Sequence, residues 1–230
     1  MKTLVLAVVS GLSLSACVTI NTPMNGTSSN SGNVVIQYPV ETAFLNIYTK
    51  ERNQKLVAVV DNRNIIADIK VRPKGAMLFN GKQVQGAEVS TLTTSNNQVI
   101  DQSVSTNYYT LNPLMFHGFT SNSGEYSVAT QSTVIPKIAE IGDNNLLVTE
   151  NVYSDSSKRN NIGVYYQSWS LMHESSNTAW LCIDTSANRL LSIDPDGATS
   201  ECYKINAKGD ILSSRLTLDM PTQTIKFMSQ

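Results

Sequence analysis

Histidine is almost missing from this chain: His117 and His173 are the two copies in 230 residues. A catalytic zinc site usually takes three protein ligands and is commonly histidine-rich, so the supply is too thin for a zinc enzyme. No metal is expected. Charge is scarce as well, with 17 Lys and Arg against 18 Asp and Glu, together 15% of the residues. Such a balance sets up no basic field for a phosphate backbone, which excludes a nucleic-acid partner. There is no Gly-x-Ser-x-Gly elbow, no Ser-x-x-Lys, no phosphate-cradling glycine loop and no His-Glu-x-x-His. No catalytic residue and no cofactor is expected, and the chain reads as a non-enzyme. Apolar runs are short throughout, below the roughly 20 residues of a spanning helix.

Cysteine is rare too, and the position of the first one is informative. Lys2 precedes an apolar stretch from Leu4 to Leu14, interrupted by Ser10, Gly11 and Ser13. That length and those flanks are those of a secretory signal peptide. The stretch ends in Leu14-Ser15-Ala16-Cys17, which resembles the lipobox of bacterial lipoproteins: a branched apolar residue, two small residues, then cysteine. The resemblance implies cleavage before Cys17, lipidation of its sulfur and attachment to a membrane. Val18 follows where aspartate would signal inner-membrane retention, so the outer membrane is implied. One acyl chain anchors only marginally, at about 0.8 kcal/mol per buried methylene, and two or three hold firmly.

Three regions follow from this reading. Residues 1–16 are a signal peptide, 17–33 the lipidated cysteine with a Ser/Thr/Asn/Gly-rich tether, and 34–230 a folded domain.

The folded domain reads as mainly β. Asn80-Gly81 lies between extended runs in MLFNGKQV, a strong two-residue hairpin signal. From residue 145 onward, apolar alternations recur between short polar turns. This predicts antiparallel strands folded into a sandwich or a barrel, closed or half-open, with at most one or two short helices. Residues 39–53 fit either a helix or a strand through Phe44–Tyr48, and 136–142 at most a turn of helix. Cys182 and Cys202 predict a disulfide in an exported protein. Bridged Cα atoms lie within about 7 Å, whereas strands one removed in a sheet are about 9.5 Å apart. The two cysteine strands are therefore neighbours, or face each other across the fold.

Few residues suggest a site. Asp194–Gly197, with Asp184 and Glu201 nearby in sequence, is explained by a proline-containing turn without calcium. Alternation places Tyr165 and Trp169 on one strand face, and Tyr108, Tyr109 and Phe116 crowd a second region. These five are either core or a binding patch. The function expected is a non-enzymatic binding or structural accessory of the cell envelope, anchored in the outer membrane and meeting an envelope protein. A carrier of lipid or another hydrophobic ligand is the second reading, and an envelope hydrolase the third.

Overall fold

The computed structural model describes residues 34–189, 198–220 and 223–230. The signal peptide, Cys17, the tether and the Asp194–Gly197 turn lie outside the described residues.

A two-residue strand β1 (Gln37–Tyr38) leads into helix α1 (Val40–Tyr48). Strands follow as β2 (Arg52–Val60), β3 (Arg63–Phe79), β4 (Lys82–Ser95), β5 (Gln98–Leu111), β6 (Leu114–Ser121), β7 (Tyr126–Ser132) and β8 (Ala139–Glu140). The remainder are β9 (Asn144–Tyr153), β10 (Asn161–Ser175), β11 (Thr178–Arg189), β12 (Ala198–Asn206), β13 (Ile211–Met220) and β14 (Gln223–Ser229). Twelve of them form one closed antiparallel barrel, in chain order except that β8 stands aside and pairs β1. The barrel closes where Met228 and Ser229 of β14 meet Val57 and Leu56 of β2. Of the two expected architectures the fold is the barrel, and it is closed. Residues 139–140 form strand β8 where a turn of helix was the most expected.

Local chemistry explains the hairpins. Asn80 and Gly81 both take positive φ (47° and 78°), as a two-residue turn matched to strand twist requires. Asp61-Asn62 and Asn96-Asn97 do the same between β2 and β3 and between β4 and β5. Asparagine and aspartate tolerate this region better than most residues. On the wall, Lys55 stands opposite Asp68, and Arg72 opposite Glu88. These outward charges sit mid-strand, where a membrane-spanning barrel carries an apolar band.

An eight-stranded barrel is just filled by its own side chains, and twelve strands leave a wider lumen. The helix occupies one end of it. Val40, Ala43, Phe44 and Ile47 are spaced i, i+3, i+4, i+7 and are all buried, the stripe a core-facing helix presents. Phe44 meets Phe116 edge-on, with ring centroids 6.3 Å apart. Tyr48 packs on Phe116 and Tyr109 at 5.0 and 6.1 Å. Trp169, Leu171, Leu181 and Ile205 complete this core. The helix ends where Thr49 bonds back to the Leu45 carbonyl through both its amide and its hydroxyl. A smaller cluster of Leu56, Ala58, Ala67, Ile69 and Phe227 lines another part of the wall.

Cys182 and Cys202 stand opposite each other on neighbouring strands β11 and β12 and form the expected disulfide. The neighbour-strand arrangement is thus the one the fold uses.

Candidate functional site

Three strands interrupt an inward apolar alternation with a charge. On β2 the inward residues run Arg52, Gln54, Leu56, Ala58; on β9, Val148, Glu150, Val152; on β12, Glu201, Tyr203, Ile205. Period two puts each charge on the face of its apolar neighbours, so these side chains enter the lumen. Arg52 and Glu201 sit where α1 ends, beside Ile47 and Tyr48 of its last turn.

There a chamber of about 190 Å3 opens, lined by Tyr48, Arg52, Asn107, Gln167, Glu201 and Tyr203 among others. The Arg52 guanidinium donates through Nη2 to the Tyr203 hydroxyl at 3.2 Å and lies 4.7 Å from that ring's centroid. Its Nε and Nη1 are buried without a protein partner. The Tyr203 hydroxyl in turn donates to Glu201 Oε1. Burial, reinforced by the Glu201 charge, pushes the Tyr203 hydroxyl far above its ordinary range. Tyr48 is raised for the same two reasons, so both phenols stay neutral donors.

Glu150 is only 3% exposed. Burial raises its carboxyl to about 7, partly offset by a hydrogen bond with Ser127, and Oε2 is unpartnered. A carboxyl so placed is largely neutral below pH 7.

The aromatic residues expected as core or patch are not a surface patch. Trp169, Tyr109 and Phe116 are buried in the helix-filled core. Tyr108 is buried elsewhere, stacked on Phe79 at 3.9 Å. Tyr165 is partly exposed and stacks on Phe119 at 5.8 Å. His117 is half-buried, with Nε2 3.2 Å from the Thr110 hydroxyl, and desolvation followed by the Lys82 charge lowers its pKa. His173 lies exposed on β10. Asp184 and Glu201 point to opposite faces of the wall, since Glu201 shares its face with the paired Ile183. No group of three metal-ligating residues occurs among the described residues.

A second feature lies outside, at the helix-closed end. Val34, Ile36, Val134 and Ile138 are each 54–59% exposed. The Ile141 amide donates to the Ile36 carbonyl at 2.9 Å, which sets the 34–36 and 138–141 segments side by side. The Ile135 amide reaches the Leu114 carbonyl at 3.3 Å and ties residues 134–138 to the same rim. The chain enters the barrel from this rim.

Comparison with family models, curated proteins and solved structures returns no match for the chain. The chemistry of the chamber and the rim is therefore the ground for a functional reading.

Proposed function

We propose that the protein is a lipid-anchored, non-enzymatic accessory of the cell envelope, held at the outer membrane through Cys17. Its barrel binds another envelope protein through the apolar rim of the helix-closed end. One observation carries this reading: four branched apolar side chains, more than half exposed, lie on segments 34–36 and 134–138, which a hydrogen bond from the Ile141 amide to the Ile36 carbonyl joins. Exposed apolar side chains gathered on neighbouring segments are characteristic of an interaction site. The rim includes residue 34, the first of the folded domain.

The charged wall supports an aqueous setting for the barrel. The chamber is smaller and more polar than a hydrophobic cargo needs, which places the carrier reading behind this one.

A photo-crosslinking residue at position 138 in intact cells tests the rim. It should capture one defined protein, while the same residue at position 55 on the wall captures none. Capture of lipid alone from position 138, or the same proteins from both positions, would overturn the reading. Labelled palmitate should be lost in Cys17→Ser, and retained label would remove the anchor.

A further inference from the structure

Arg52 and Glu201 line one small chamber yet do not pair with each other. Arg52 forms no ion pair within 4.0 Å among the described residues. One hydroxyl, that of Tyr203, stands between them, accepting from Arg52 and donating to Glu201. Each charge keeps unused hydrogen-bonding capacity: among the described residues Nε and Nη1 of Arg52 have no partner, and Glu201 accepts one hydrogen bond, from the Tyr203 hydroxyl. Burying a charge is costly unless it is paired and hydrogen-bonded. The buried Arg52 atoms, with the half-buried Glu201 carboxylate beside them in the chamber, fit a complement bearing both signs a short distance apart.

The remainder of the chamber limits that complement. Ile69, Val71 and Ile183 supply apolar wall, and Asn107 and Gln167 neutral polar groups. A volume of about 190 Å3 is roughly six waters at about 30 Å3 each, below the roughly 300 Å3 at which drug-sized pockets begin. A simple anion would meet Arg52 but be repelled by Glu201, and a simple cation the reverse. We propose that the lumen binds a small zwitterion, an α-amino acid with a short apolar side chain. Its carboxylate accepts from the unpartnered Nη1 of Arg52, its ammonium donates to Glu201, and its side chain rests on Ile69, Val71 and Ile183. The site lies inside the barrel, separate from the rim, and stands whether or not the rim binds a partner.

Calorimetric titration of the detergent-solubilised full chain tests this. L-valine should bind saturably. 3-Methylbutanoate lacks the ammonium and 2-methylpropylamine lacks the carboxylate. Each should bind at least about tenfold more weakly, as loss of one charge-assisted hydrogen bond predicts. Glu201→Gln should abolish the preference for valine over 3-methylbutanoate, and Arg52→Met should weaken valine about tenfold or more. Equal binding of valine and 3-methylbutanoate by the unaltered protein would overturn the proposal. So would tighter binding of inorganic phosphate, or no saturable heat from glycine, alanine or valine at about 10 mM. The ligand series on the unaltered protein decides the matter even if a variant fails to fold.

Discussion

Two neighbouring parts of the lumen have opposite character, although the same alternating strands build both. In the helix-filled part, Phe44 and Ile47 meet Trp169, Leu171 and Leu181, and these side chains are almost completely buried. Past the helix end the chamber is faced by Arg52, Glu201 and Tyr203, and buried polar atoms of Arg52, and of Glu150 on β9, lack partners. A wall of twelve strands is too wide to fill from the wall alone. Where the helix supplies apolar volume the interior is an apolar core; where it stops, polar groups enter before the wall turns apolar again at Leu56, Ala58 and Phe227. The difference separates the part of the lumen that holds the fold from the part free to bind.

The strongest test of that division is Trp169→Ala. At 3% exposure in the helix-filled core, this truncation removes a large aromatic and leaves a cavity. The expected loss is about 3–5 kcal/mol, a large share of a typical stability of about 5–15 kcal/mol. Denaturant unfolding measures it directly. A loss below about 1 kcal/mol would mean that the helix-filled part is not the core.

Much of this division was readable from the strand pattern, and some was not. The rhythm from residue 145 onward and the Asn80-Gly81 hairpin were legible because alternation and turn chemistry act locally. Asp61-Asn62 and Asn96-Asn97 make the same kind of turn without glycine, so their signal is weaker. Closure was not legible: it depends on β14 meeting β2, strands far apart in the chain, and alternation looks alike in a sandwich and a barrel. The chamber escaped notice for a different reason. A charge on a strand is ordinarily taken as solvent-facing, yet Glu150 is in phase with Val148 and Val152, and Arg52 with Leu56 and Ala58. That phase is the signal that could have found them.

A pH-dependent test sharpens the comparison on the polar side. The Glu150 carboxyl titrates at about 7 in the fold against an ordinary 4.5. Below pH 4.5 the folded and unfolded states both hold the proton. Between 4.5 and 7 the unfolded chain releases it while the fold retains it, so stability falls as pH rises, and levels off above about 7. At about 1.4 kcal/mol per pK unit, Glu150 should contribute a loss of about 2–3 kcal/mol across that window. Glu150→Gln keeps the shape without the charge. Urea unfolding of both proteins at pH 5 and pH 8 should show the loss in the native protein and its absence in the variant. Equal slopes would mean that water reaches this carboxyl freely.

The smallest effect expected, and the one that most directly opposes the two parts, is that of Arg52→Met. Methionine fills a similar length with an apolar, adaptable chain, and the substitution removes a guanidinium whose Nε and Nη1 are buried without partners. Replacing an imperfectly compensated buried charge by an apolar residue of similar volume is often neutral or stabilising. Against that gain stand the lost hydrogen bond to Tyr203 and the contact with its ring, worth roughly 1–2 kcal/mol together. The balance predicts a change within about 1 kcal/mol, leaning toward greater stability, at the same site where amino-acid binding should fall. Thermal unfolding of the ligand-free variant beside the native protein measures it. A loss of about 3 kcal/mol or more, comparable to that of Trp169→Ala, would show that Arg52 belongs to the structural core and would erase the boundary between a packed and a binding part.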